Sequence, residues 1–140
     1  MALSAFEKFS ADDLDVDAVV AAMTDDCSYE HSSELGVEGV RKGKKEIAEW
    51  FQGWKKEFPK RKFVVKNICF KGSCLPSPSN VVMVEWGCVD TYKEGTEYQY
   101  DGVTVLEIKN MKAFRASEYI SFKGLPKLST LIKPTGKAKV

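Results

Sequence analysis

The chain has 140 residues, 21 of them basic and 20 acidic, with 44% hydrophobic and 29% charged side chains and a net charge of +1. That length suits one domain with a single core, and the balanced charge argues against a nucleic-acid binder, which carries a basic excess or patch. No apolar run approaches the roughly 18 residues of a membrane span. The opening "MALSAFEKFSADD" has acids where a secretory leader needs an apolar core, so a cytoplasmic protein is expected.

Four cysteines, Cys27, Cys69, Cys74 and Cys88, lack the paired short spacings and histidines of a zinc site, and read as free buried thiols. No metal, nucleotide or phosphate motif is visible, and no cofactor is expected.

In chain order, "SAFEKFSADD" is a short helical pattern. "LDVDAVVAAMTDDC" follows, with Val16, Val19, Val20 and Met23 at helical spacing and Asp15 or Asp17 available as a cap. "CSYEHS" alternates as a short strand with Cys27, Tyr29 and His31, the only histidine, on one face. "SELGVEGVRKG" is punctuated by glycines and reads as a loop. "KKEIAEWFQGWKKEF" is the clearest helix: Ile47, Trp50, Phe51, Trp54 and Phe58 form one apolar stripe, and Pro59 ends it. Four strand patterns follow: "KFVVKNICF", "NVVMVEWGCVDTY", "TEYQYDGVTVLEI" and "KAFRASEYISF". "KEG" and "KNMK" supply hairpin turns, and Asp101-Gly102 reads as a bulge. From Ser121 onward the chain carries five lysines and no acid, a basic terminus. The order predicts an α+β domain over residues 1–121, its helices packed on one face of a bent antiparallel sheet, with a loosely docked tail over 122–140.

That order resembles the nuclear transport factor 2-like superfamily, which includes SnoaL-like polyketide cyclase, steroid delta-isomerase and limonene-epoxide hydrolase branches. The resemblance is carried by "DVDAVVAAMTDDCSYE", "RKGKKEIAEWFQGW", "VVMVEW" and "YDGVTVLEIKNMKAFRASEY", over roughly residues 12 to 121. It implies a cone: a curved sheet wrapped around about three N-terminal helices, an apolar pocket at the wide end, and often a dimer through the outer sheet face. Fold does not fix function in such a superfamily.

Resemblance to the steroid isomerase places His31 at that enzyme's proton-shuttling aspartate. Its two oxyanion donors fall near Phe6 to Phe9 and on Val103, where this sequence has no donor, which argues against steroid isomerisation. Resemblance to the epoxide hydrolase aligns Tyr29-Glu30-His31 with a water-holding Tyr-x-Asn, and Glu118 with the aspartate on the last strand. The matching Arg-x-Asp pair falls near Glu85 to Gly87, where no arginine stands; Asp90 serves as an acid only in a shifted register.

Alternation puts Trp86, Cys88 and Asp90 on one face, with Asp90 at the rim, and Phe114, Ala116, Glu118 and Ile120 on another. Glu118 is thus an inward carboxylate in apolar company, whose pKa should rise. Alternatively it pairs with Arg115 or Arg41 as a structural bridge. The candidate catalytic residues are Glu118, His31, Tyr29 and Asp90; the candidate pocket residues are Trp50, Phe51, Trp54, Trp86, Val103 and Phe114. The expected function is binding of a small, largely apolar metabolite, with cofactor-independent acid/base chemistry in which Glu118 is the base, His31 the shuttle and Tyr29 a donor to substrate oxygen. The alternative is a non-catalytic ligand-binding or dimerisation module.

Overall fold

The computed structural model describes residues 12–31, 39–72 and 80–121. The elements are α1 (Val16–Ala21), β1 (Met23–His31), β2 (Val40–Lys42), α2 (Gly43–Glu57), β3 (Lys60–Lys71), β4 (Asn80–Thr91), β5 (Glu97–Lys109) and β6 (Lys112–Ser121). The architecture is α+β, with six strands in one curved, open sheet in the order β2-β1-β6-β5-β4-β3. The expected first helix lies outside the described residues up to residue 11, and so do Cys74 and the basic tail.

Local chemistry sets these elements. Asp15 caps α1, accepting from the Ala18 amide at 3.0 Å. The helix is shorter than its apolar spacing suggests, because Met23 already belongs to β1, four residues ahead of the expected strand start. Gly43 starts α2 at φ +78, and the Glu46 carboxylate accepts from the Lys42 amide at 2.9 Å, covering an otherwise orphaned donor. The segment read as a glycine loop contains β2, which extends β1 antiparallel through Tyr29↔Arg41. β3 to β6 form the expected antiparallel meander, but β1 pairs with β6 in parallel, so the sheet is mixed. A terminal strand closing beside the first is a long-range pairing that local periodicity does not carry.

Asn110 and Met111 turn the last hairpin, both at positive φ (49 and 67), as a two-residue primed turn requires. The bulge expected at Asp101-Gly102 is absent: the ladder runs unbroken there. Gly102 serves close approach instead, since a Cβ would lie 2.4 Å from the Trp86 indole. The register shift falls between Glu107 and Ile108 against β6, so Ala113 takes the inward place opposite Ile108, and Phe114 leaves the face shared by Ala116, Glu118 and Ile120.

Two apolar clusters cover the concave face. One joins α1 and α2 to β1 and β6 through Leu14, Val19, Cys27, Tyr29, Ile47, Phe51 and Ala116. The other holds Val84, Trp86, Cys88, Tyr100 and Ile108 on β4 and β5. Trp50 and Trp54 project from α2 at the seam between them. Cys27 and Cys88 are buried thiols as expected, but Cys69 is exposed, because it faces outward opposite Met83 on the edge strand β3.

Candidate functional site

The sheet register assembles the site in rows. Val84, Thr104, Glu118 and His31 lie side by side across β4, β5, β6 and β1. One row along, Trp86 faces Gly102 and Ile120. Further toward the strand ends, Cys88 faces Tyr100, and Asp90 faces Arg61 of β3. α2 roofs these rows with Trp50, Phe51 and Trp54. Between roof and sheet lies a cavity of about 30 Å³ lined by Tyr29, Trp50, Phe51, Trp54, Arg61, Phe63, Trp86, Tyr100, Glu118 and Ile120.

Glu118 is 8% exposed and accepts from the Tyr29 hydroxyl at 2.5 Å. The Thr104 hydroxyl also serves it, and Thr104 itself accepts from Trp86 Nε1 at 2.8 Å. Burial pushes the Glu118 pKa above its ordinary value; Tyr29, the Arg61 charge and Thr104 pull against that rise without cancelling it. Tyr29, fully enclosed, is pushed well above the ordinary tyrosine range by burial and by the neighbouring Glu118 charge, so it remains a donor at any working pH.

The second carboxylate is better supplied. Asp90 is 0% exposed and accepts from Trp54 Nε1 at 3.0 Å, from the Tyr100 hydroxyl, and from the Cys88 thiol at 3.4 Å. Arg61 Nε lies 3.5 Å from its Oδ1. Burial works against the Arg61 charge, but Asp90, helped by Cys88 and Tyr100, outweighs it, and the Arg61 pKa is raised. Burial pushes the Cys88 thiol up to about 11, so it stays protonated at neutral pH and is no nucleophile.

These positions revise several expectations. Asp90 is no rim acid: it is 0% exposed and absent from the cavity lining, and three neutral donors, Trp54, Tyr100 and Cys88, meet its oxygens. Tyr29 donates its hydroxyl hydrogen bond to Glu118, so it does not offer that hydrogen to a ligand oxygen in this state. His31, 3% exposed, does not line the cavity but stacks on Trp50 (centroids 4.6 Å apart, planes at 16°), with Arg41 on a Trp50 face at 4.7 Å. Val103 alternates with Gly102 and Thr104 and therefore points to the outer face, and Phe114 is lost to the bulge. The structural bridge from Glu118 to Arg115 or Arg41 does not form: Arg115 meets Glu107 at 3.2 Å on the outer face. Trp50, Phe51, Trp54 and Trp86 do come together around the cavity.

Arg61, Thr104 and Tyr100 escaped the sequence reading. Arg61 sits in "PKRKF", which looks like a solvated strand entry; only the β3–β4 register sets it opposite Asp90. Tyr100 and Thr104 carried a usable signal, since they share alternation with Gly102 on β5. Among the described residues, no group of three or more His, Cys, Asp or Glu side chains is placed to hold a metal ion, and no helix is long and apolar enough to cross a membrane.

Comparison with known proteins agrees with this architecture. The model of the SnoaL-like domain family matches residues 4–116, and the chain belongs to that family. A search of curated proteins found no match. Among solved structures, TerC co-crystallised with polyporic acid is 19% identical, with a TM-score of 0.70 over 86% of this chain and 88% of its own. An NTF2-like protein of unknown function from Burkholderia pseudomallei K96243 is 18% identical, with a TM-score of 0.69 over 94% and 93%. A protein with a ketosteroid isomerase-like fold from Catenulispora acidiphila, solved with trimethylamine, is 14% identical, with a TM-score of 0.70 over 91% and 93%. At these identities the likeness is one of fold.

Proposed function

We propose that the chain binds a small, largely apolar, ring-containing metabolite in the aromatic cavity and moves a proton on it through Glu118, without an organic cofactor. The observation that carries this reading is the buried Tyr29–Glu118 pair at 2.5 Å inside a wall of aromatic rings. A carboxyl group whose pKa is raised toward the working pH can both take and return a proton. Tyr29 and Thr104 fix its orientation, and Tyr29 is the group that would redirect its hydrogen bond to substrate oxygen once Glu118 is protonated. His31, behind Trp50, fits a part in placing that ring rather than a direct shuttle. The ring-rich lining is in keeping with a neighbour of this fold that was solved with polyporic acid.

The cavity has space for about two water molecules as it stands, so a ligand requires the wall to move. Trp54 and Arg61 also line a second, smaller hollow with Leu14, Lys55, Phe58 and Pro59. Displacing that pair would join the two spaces. The small volume is also the observation that favours the second reading, a non-catalytic binding module. Glu118→Gln separates the two when binding and turnover are followed on a panel of cyclic enones, epoxides and β-hydroxy ketones. An enzyme keeps binding and loses turnover in the variant; wild-type protein that binds without converting any of the panel sinks the catalytic reading.

We also infer a homodimer through the outer sheet face, where Met83 and Tyr119 stand exposed. Sedimentation of wild type against Tyr119→Glu tests it, with a dimer expected only for the former.

A further inference from the structure

Two directed runs of hydrogen bonds in the cavity wall end on Glu118. In one, Trp50 donates to the Tyr29 oxygen, and the Tyr29 hydroxyl donates to Glu118 at 2.5 Å. In the other, Trp86 Nε1 donates to Thr104 Oγ1 at 2.8 Å, and the Thr104 hydroxyl serves Glu118. The indoles set the direction. An indole N–H donates and never accepts, so each hydroxyl oxygen is held as an acceptor and its one hydrogen goes to the carboxylate. Elsewhere in the lining, Trp54 Nε1 and the Tyr100 hydroxyl both donate to Asp90, and Arg61 is engaged by Asp90, Cys88 and the Phe63 ring.

The indole and hydroxyl donors of the wall are therefore all spent within the protein. What remains is acceptor capacity: an ionised carboxylate has about four lone-pair sites, and Glu118 receives Tyr29 and Thr104. A ligand oxygen without a hydrogen would face Glu118 lone pair against lone pair, whereas a hydroxyl adds a further donor to the carboxylate. Opening the wall at Trp54 and Arg61 breaks none of these bonds to Glu118. Those two side chains hold Asp90, while Thr104 and Glu118 share the row of Val84, further along the sheet.

We propose that Glu118 is the ligand-recognition group of this cavity, and that the ligand is a ring compound bearing a hydroxyl, which donates its hydrogen to the Glu118 carboxylate while the ring lies among the aromatic side chains. This rests on the cavity being the ligand site. It adds the polarity of the ligand, which an aromatic pocket with an acid/base pair leaves open. It also joins recognition to chemistry, because the hydrogen by which the ligand is recognised is the one Glu118 is placed to take.

The chain has three tryptophans, and all of them line the cavity, so their indole N–H resonances report on this site. Wild-type protein is titrated at pH 8 with cyclohexanol and with cyclohexanone, rings of nearly equal size of which only the alcohol has a hydroxyl hydrogen to give. Dissociation constants are read from the indole proton–nitrogen NMR shifts. The alcohol is expected to bind at least about tenfold tighter, the scale of one hydrogen bond to a charged group. Glu118→Gln should bring the two probes within about threefold of each other, because an amide offers a donor as well as an acceptor. Equal binding by wild type, or tighter binding of the ketone, overturns the inference and leaves the cavity as a ligand site of another polarity. An alcohol preference that survives Glu118→Gln overturns the assignment to Glu118. If neither probe shifts an indole resonance, the cavity reading falls and the inference falls with it. The wild-type alcohol-to-ketone ratio requires no variant, so the proposal stays testable even if Glu118→Gln does not fold.

Discussion

Tyr29→Phe isolates the bond on which the candidate chemistry depends. The substitution keeps the ring against Phe51 (centroids 5.1 Å apart) and removes only the hydroxyl that donates to Glu118. Glu118 has its folded pKa raised above the ordinary value of 4.5 by burial, so the folded state holds its proton over a window in which the unfolded chain has released it. Stability contributed by this group is therefore complete at acid pH and falls as pH rises from the unfolded value to the folded one. Tyr29 opposes the rise, so its removal lifts the folded pKa further and extends the falling window upward. Below both values the lost bond joins two neutral groups and should cost about 0.5–1.5 kcal/mol; above them it serves a buried carboxylate and should cost about 1.5–3 kcal/mol. Urea unfolding of wild type and Tyr29→Phe at pH 4 and pH 8 measures both, and the deficit should be greater at pH 8 by about 1 kcal/mol. Equal deficits at the two pH values, or a Glu118 carboxyl that titrates lower in the variant by carbon-detected NMR, would refute the reasoning.

Gly102→Ala pushes a methyl into the Trp86 indole, to within 2.4 Å of Cζ2; it should cost about 1–3 kcal/mol in thermal or urea unfolding and shift Trp86 fluorescence. Asp90→Asn leaves the Arg61 charge, only 9% exposed along its side chain, without its carboxylate, and a loss of about 3–5 kcal/mol is expected in urea unfolding. Met111→Gly relieves a side chain held at φ 67 in the last hairpin and creates Asn-Gly at its turn; it should raise stability by up to about 1 kcal/mol, seen as a higher urea midpoint with an unchanged slope.

Elements whose information is local were legible in the sequence. The stripe Ile47, Trp50, Phe51, Trp54 and Phe58 specifies α2 and its buried face, and alternation on "RASEYIS" turns Glu118 inward. What depends on register was hidden. A one-residue shift moves a side chain to the other face, so the bulge opposite Glu107 and Ile108 removed Phe114 from the cavity, and no property of Phe114 itself announces this. Val103 was assigned to the pocket by its aligned position in a relative, although its own alternation with Gly102 and Thr104 sends it outward. Arg61 and Asp90 meet because β3 and β4 pair at that step, 29 residues apart in sequence; neither "PKRKF" nor "CVDTY" signals a buried ion pair.

The two buried carboxylates of the concave face differ in their supply of donors, and this divides their roles. Asp90, with Trp54, Tyr100, Cys88 and Arg61 around it, is enclosed and lines no part of the cavity. Glu118 lines the cavity, and burial makes its charge costly. A ligand in the cavity thus touches Glu118 directly and Asp90 only through Arg61. On the proposed reading, changes at Asp90 act on the shape of the cavity wall, by loosening the Arg61 side chain that lines it. Changes at Tyr29 or Thr104 act on proton transfer, because they reset the carboxyl that performs it. The separation follows from strand register alone: one row of the sheet brings Thr104 beside Glu118, and another, nearer the strand ends, sets Arg61 opposite Asp90.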